Sequence, residues 1–225
     1  MRVRGPDLLW GGDIRRWHAA PGHFAGVVGG PPCKGESNLA ALNGTPSSLA
    51  REFCRVVYEA DPDWWLMEAV KEHTDLMHRE DCYQSQELDR SRGSSAVYSC
   101  ICERRHGPVQ VLKLNNRWLG EVQHRKRYFH SNLTLTPEVA ALEHLDWKYA
   151  VLAGHGGGVG SIYRRMAKYS LPDACELQGL PRDFADSLPF TRQWKYEVIG
   201  NGVPLPMGRA VARAVKRALG IEAVA

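Results

Sequence analysis

No Cys-x-x-Cys pair occurs anywhere in the 225 residues. The six cysteines, Cys33, Cys54, Cys82, Cys100, Cys102 and Cys175, are scattered, and Cys100/Cys102 is their only close spacing. That pattern argues against a zinc site, so no metal is expected, and it offers no disulfide framework. With no signal peptide in view, the thiols read as reduced and the location as cytoplasmic. No apolar run reaches the roughly 20 residues of a membrane-spanning helix, so no membrane partner is expected. A strong charge of one sign is also missing. Lys and Arg number 29 against 25 Asp and Glu, leaving a formal net charge of +4. That balance suits a nucleic-acid partner without indicating one. There is no internal repeat and no low-complexity segment. What is present, 44% hydrophobic and 24% charged residues, suffices for a core in one large domain or one domain with a small appendage.

The clearest organisation lies in the first third. "HFAGVVGG" reads as a buried strand bounded by glycines. "TPSSLAREFCRVVYEADPD" reads as a helix: Thr45 or Ser47 can cap it, Pro46 suits its first turn, and Leu49, Phe53, Val56 and Val57 share one face. "WWLMEAV" reads as a second buried strand ending near Glu68. Strand, loop, helix, strand is a β-α-β unit whose two strands are expected to be parallel. Further on, "GPVQVLKLNNRWLG" alternates like a strand entering a loop, and "EVQHRKRYFHS" is a basic segment running into a strand. "LPDACELQGLPRDF" suggests a short helix stopped by Gly179 and Pro181. "IGNGVPLPMGRAVARAVKRAL" reads as a turn feeding a helix with Val211, Ala214, Val215 and Leu219 on its apolar side.

Between the first strand and the helix lies "GGPPCKGES", Gly29 to Ser37. Two prolines stiffen the backbone on the approach to Cys33. The carboxyl ends of parallel strands are where ligands and catalytic groups collect. A thiol at one strand end and the Glu68 carboxylate at the next make an arrangement for nucleophilic catalysis. The ordinary alternative is a packed structural cysteine. Gln123, Arg125 and Arg127 recur at a spacing of two, so in an extended strand they project to one face, where guanidinium groups suit an anion. The ordinary alternative there is a solvated strand face.

Taken together, "GPPCKGES", Glu68-Ala69-Val70, Gln123-x-Arg125-x-Arg127, "LQGLP" (Leu177 to Pro181) and "GNGVP" (Gly200 to Pro204) occur in this order at sensible spacings. The set resembles the DNA cytosine-5 methyltransferase family, and "GDIR" ahead of the thiol loop matches a further family segment. The match covers about residues 11 to 220.

The resemblance implies an α/β, Rossmann-like, S-adenosylmethionine-dependent methyltransferase fold. Residues 1–130 would begin the catalytic domain, 131–170 would form a short target-recognition region, and 171–225 would return to the catalytic domain. It implies double-stranded DNA as partner, with the target cytosine flipped out of the duplex. Cys33 would add to ring carbon six, Glu68 would engage ring nitrogen three and the exocyclic amine, and Arg125 would contact the base carbonyl oxygen. Gln123 and Arg127 would support that geometry on the DNA side. Asp13 and Ile14 would meet the cofactor's adenine, Pro31 would border its site, and Asn201 and Val203 would form part of the pocket for its methionine end. Lys34, where the family has Gln, would lower the thiol pKa, touch a phosphate or simply be solvated, with Ser37 in the same loop facing the substrate. Arg164, Arg165 and Lys168 are candidate phosphate contacts, which position without specifying. The setting would be bacterial or phage-borne, as in restriction-modification.

The departures carry expectations too. The family opens with Phe-x-Gly-x-Gly-Gly after a first strand, and no such turn precedes "GDIR". The fold is therefore expected to be incomplete at its amino end, and the isolated chain to bind S-adenosylmethionine poorly unless a complementing polypeptide or self-association supplies the missing part. Ala69 stands where the family has Asn, which leaves Glu68 with one brace fewer. The competing readings are a non-catalytic DNA-binding homologue or subunit, and a thiol enzyme acting on pyrimidines with a different electrophile.

Overall fold

A computed structural model describes residues 13–31, 49–70, 72, 108–140, 147–152 and 169–221. The chain divides into two compact units, one formed by residues 1–112 with 128–134 and the other by residues 113–127 with 135–225.

The first unit is a mixed sheet with a helix on it. Its strands are β1 (Gly26–Gly29), β2 (Trp64–Ala69), β3 (Gln110–Asn115) and β5 (Lys126–Ser131), in the order β1-β2-β5-β3, and β3 and β5 run on along the chain into the second unit. Helix α1 (Leu49–Ala60) joins β1 to β2. As the sequence implies, β1 and β2 are parallel, with Gly26 opposite Trp64 and Gly29 opposite Met67. β2 is antiparallel to β5, with Glu68 opposite Phe129. A strand flanked on both sides reads as a continuous apolar run, which is why "WWLMEA" does not alternate.

Phe53, Cys54 and Val57 from α1 pack on Trp65, Met67 and Ala69 from β2. The rings of Phe53 and Trp65 meet edge to face at 6.1 Å, the geometry the aromatic quadrupole favours. Glycines in β1 make this fit possible. A Cβ on Gly29 would stand 2.7 Å from the Phe53 ring, and one on Gly26 2.2 Å from the Trp64 indole. At the other end of β2, Asn132 Oδ1 accepts the Trp65 N–H at 2.9 Å and the Ser131 hydroxyl donates to the Trp65 carbonyl.

The second unit is mainly helical. It contains the two-stranded parallel sheet of β4 (Gln123–His124) and β6 (Lys148–Tyr149), and helices α2 (Leu171–Leu177), α3 (Arg192–Asn201) and α4 (Leu205–Ala218). Ser170 caps α2 by accepting the Asp173 N–H, and Pro172 occupies its first turn. Gly179 ends that helix in the left-handed region at φ 74°, and a Cβ there would stand 2.6 Å from Pro206. Val151, Ala174, Cys175, Leu177, Ala185, Tyr196 and Ile199 form the buried cluster. In α4, Val211, Ala214 and Val215 are buried as the periodicity predicts, and Leu219 caps the end half-buried.

One local expectation is corrected. "IGN" is not a turn: Ile199, Gly200 and Asn201 are the last residues of α3, and the chain breaks direction only at Gly202 to Pro204. The polar, Trp-containing stretch before it gave no apolar periodicity from which to read α3. Among the described residues no helix is long and apolar enough to cross a membrane.

Candidate active site

The amino-terminal part of the site is built on α1. A short 3-10 helix, Ile14–Arg16, is capped by Asp13, whose carboxylate accepts the Arg15 N–H at 3.0 Å and is gripped by the Arg15 guanidinium. Those hydrogen bonds pull the Asp13 carboxyl down to about 2. The segment is fastened to α1 from the helix side. Arg55 donates to the carbonyls of Ile14 at 2.7 Å and Trp17 at 3.0 Å while pairing with Glu52 and Glu59. Glu59 in turn accepts from the Ala19 N–H and meets His18 at 3.0 Å. Burial pushes the Glu59 carboxyl up, but the bonds from Arg55, His18 and Ala19 outweigh it and hold it below its ordinary value. Glu52 to Arg55 is a helical step of three and Arg55 to Glu59 a step of four, the spacings at which opposite charges pair on one helix face. The sequence thus held the signal for this clamp, though not its target.

The clamp sets Ile14 on the rim of an open cleft of about 420 Å³, whose other walls are Trp17, Phe24, β1 from Gly26 through Gly30 to Pro31, and Leu49, Phe53 and Val56 of α1. Two sequence candidates, Ile14 and Pro31, therefore share one apolar cavity, while Asp13 stands beside it, tied to Arg15. Flat apolar walls of this kind accept an aromatic ring such as adenine. The residues present fit that end of the implied cofactor.

Glu68 lies one residue from the end of β2. Its carboxylate rests against the chain just past β1: a Cβ on Gly30 would stand 3.2 Å from Glu68 Oε2. One carboxylate oxygen is buried. Gly30 and Pro31 are the last described residues before Cys33 in the chain, so the acid sits against the backbone three residues ahead of that thiol. Cys33, Lys34 and Ser37 themselves lie outside the described residues, as do Arg164, Arg165 and Lys168. The two described cysteines, Cys54 and Cys175, are buried and form no disulfide among the described residues. Burial raises the Cys175 thiol, the opposite of what a nucleophile needs.

The second unit gathers three of the sequence motifs. Arg125 is 2% exposed. Its guanidinium donates to the carbonyls of Val151 at 2.8 Å, Gly200 at 2.6 Å and Gly202 at 3.0 Å. Gln178 is buried too; its side-chain amide donates to the carbonyls of Ile199 and Gly202, and its backbone carbonyl accepts the Leu205 N–H at 2.8 Å. The Gln-x-Arg strand and the Leu-Gln-Gly helix end therefore both hold the Gly-Asn-Gly-Val-Pro segment. Within that segment Asn201 is exposed and Val203 half-buried.

Gln123, by contrast, is fully buried, and both atoms of its side-chain amide lie without a hydrogen-bond partner. Arg127 is half-buried and reaches the Lys126 carbonyl. The row of exposed guanidinium groups that the two-residue spacing suggests is thus largely turned inward. The strand itself is broken at Arg125, between β4 and β5. Gln178 was legible as part of a motif, but its job of holding a backbone turn was not, because that needs residues 21 and 24 positions away.

Sequence comparison finds no matching family model and no matching curated protein. Comparison of folds does find relatives. The methyltransferase EhMeth of Entamoeba histolytica superimposes with a TM-score of 0.52 at 11% identity, covering 87% of this chain and 78% of that one. The Dnmt2 methyltransferase of S. pombe superimposes with a TM-score of 0.50 at 11% identity, covering 86% and 78%. The chain has an α/β, Rossmann-like fold, which it shares with these two proteins.

Proposed function

We propose that this chain is a DNA cytosine-5 methyltransferase, which moves a methyl group from S-adenosylmethionine to carbon five of cytosine through a covalent adduct on Cys33. The observation that carries the reading is the Glu68 carboxylate seated against Gly30, three residues before that thiol. The motif order supports it, and so does a fold shared with two proteins named as methyltransferases. Ile14 and Pro31, at one cleft, would hold the adenine end of the cofactor. When bound, the cofactor supplies an electrophilic methyl group.

The chain's own residues would prepare the base. The Cys33 thiolate adds to carbon six of a flipped cytosine, which makes carbon five electron-rich. Glu68, hydrogen-bonded or protonated at ring nitrogen three, neutralises the charge that this addition pushes into the ring. Once carbon five carries the methyl group, its proton would pass to a solvent base, and β-elimination would return the thiolate as ring nitrogen three gives back any proton it took. Pro31 and Pro32 limit the loop's freedom, which protects the near-attack geometry on which such addition depends. Arg125 serves this reading by holding the Gly200–Gly202 backbone.

A duplex with 5-fluorocytosine at the target position tests the reading, because fluorine cannot leave as a proton does and the adduct persists. Incubated with cofactor, the chain should form a complex stable to denaturant. Cys33→Ser should abolish it, and Glu68→Gln should slow it at least tenfold. An unmodified yield with Cys33→Ser would end the proposal.

A second reading has an observation of its own. β1 is the end strand of the described sheet, and Val28 on it is 64% exposed beside the open cleft. An exposed apolar edge invites another strand, which favours a complementing polypeptide that completes the cofactor site. Micromolar binding of S-adenosylmethionine to the isolated chain, measured by titration calorimetry, would remove that reading.

A further inference from the structure

The second unit carries a surface that none of the motif chemistry uses. β4 and β6 pair in parallel, His124 opposite Tyr149. Trp147 precedes β6, so with Tyr149 it lies on one face of the strand at the two-residue period. The Trp147 ring is 5.5 Å from that of His124 and 4.9 Å from that of Tyr149, the second contact edge to face at 72°. Trp147 thus meets both other rings, yet Trp147 and Tyr149 remain 46% and 44% exposed. Aromatic area of that size is normally buried, and contiguous exposure marks a contact surface.

The strand that bears these rings is held still. The Lys148 N–H donates to the Val122 carbonyl at 2.9 Å. The Tyr169 hydroxyl donates to the Tyr149 carbonyl at 3.2 Å, and the Tyr196 hydroxyl donates to the Tyr169 carbonyl at 2.9 Å. A contact surface built on a pinned backbone loses little entropy when it is covered.

Two cations act on His124 at the edge of this surface. Burial lowers the His124 pKa, and next to burial the causes are the positive charges of Lys126 and Arg117; no carboxylate of the described residues figures with them. Lys126 is exposed. Stacked rings beside cations match a nucleobase beside its phosphate, because every base offers a π-face and every linkage an anion. An acidic peptide would satisfy the cations but leave the rings uncovered.

We propose that Trp147, Tyr149 and His124, with Lys126 and Arg117 beside them, form a stacking surface for an unpaired base of a DNA strand, the two cations taking the adjoining phosphates. This rests on the proposed function only for the choice of DNA as the nucleic acid.

The test is fluorescence anisotropy of the full 225-residue chain with a labelled 12-nucleotide oligothymidine and with a blunt duplex of equal length, across a salt series. The single strand should bind more tightly. Trp147→Ala should weaken single-strand binding about 5- to 150-fold, from a stacking contribution of about 1–3 kcal/mol, and Trp147→Phe should restore most of it. Lys126→Ala should lower the slope of log affinity against log salt by about 0.7, one single-strand phosphate contact. Circular dichroism of each variant should match the parent, since the substituted side chains are exposed.

Equal binding of oligothymidine by the parent and Trp147→Ala overturns the proposal. So does a Trp147→Ala variant whose only change is in sedimentation, which would make the patch a protein interface. The Cys33 adduct is an independent readout. Loss of single-strand affinity in Trp147→Ala, with no adduct formed by the parent, would leave the surface standing and remove the enzyme reading. Adduct formation with unaltered affinity would do the reverse.

Discussion

Arg125 and Gln178 donate to the same carbonyl, that of Gly202: the guanidinium from 3.0 Å and the side-chain amide from 3.2 Å. Two motifs 53 positions apart in the chain are thereby joined at a third. Both side chains are buried, and a buried carbonyl left without its donor costs about 1–3 kcal/mol. The local consequence is a fixed direction change between α3 and α4, on which the placement of Asn201 and Val203 depends.

Arg125→Ala should therefore destabilise the chain by about 3 kcal/mol or more, since three carbonyls lose a charged donor at once. Gln178→Ala should cost about 1–2 kcal/mol. Because the two share Gly202, the double variant should depart from the sum by at least about 0.5 kcal/mol. Urea unfolding of the four proteins measures this. Additive losses would mean that the two anchors act separately.

At Gly30 the expectation is a functional effect with a small structural cost. An added Cβ would stand 3.2 Å from Glu68 Oε2, the movable end of a side chain. Gly30→Ala should change stability by less than about 1 kcal/mol and slow trapping of the 5-fluorocytosine duplex about tenfold or more by displacing the carboxylate. A variant trapped at the parent rate would separate Glu68 from the reaction.

Gly29→Ala should do the opposite. Its Cβ would press to 2.7 Å on the Phe53 ring inside the packed core of the first unit. Overpacking of this kind costs about 1–3 kcal/mol. Thermal unfolding should show the loss, and Phe53→Leu in the same chain should recover part of it by vacating the space.

Acid should loosen the segment that carries Ile14 before it unfolds the rest. The Asp13 carboxyl is drawn from its usual 3.8 to about 2 by Arg15, and Glu59 is held low by Arg55, His18 and Ala19. A carboxyl that titrates lower when folded contributes its stabilisation fully above the unfolded pKa and loses it as the pH falls through the folded one. For Asp13 that window runs from 3.8 down to about 2. Fluorescence of Trp17 against pH, with the other tryptophans replaced by Phe, should show a transition in that range, and Glu59→Gln should move it to higher pH. A profile unaffected by Glu59→Gln would disprove the clamp.

Much of the first unit was legible because its signals are local. A continuous apolar run, a one-faced helix and a glycine-bounded strand each follow from the period of a single element, so β1, α1, β2 and their parallel pairing could be read directly. The motif order suggests the proposed chemistry for a related reason: a reaction needs certain residue types, and those types are visible in the chain.

What the amino-acid order could not decide is where a polar side chain spends its hydrogen bonds. Arg125 looked like a ligand for an anion because a two-residue spacing assigns a face but not the surroundings of that face. Only the fold, by bringing the carbonyls of residues 151, 200 and 202 within reach, turned the guanidinium inward. Likewise nothing near Trp147 in the chain announces His124. Their contact exists because β4 and β6 pair across 24 intervening positions. Local periodicity determines elements; long-range contact, which depends on the path of the whole chain, determines what each exposed or buried side chain is for.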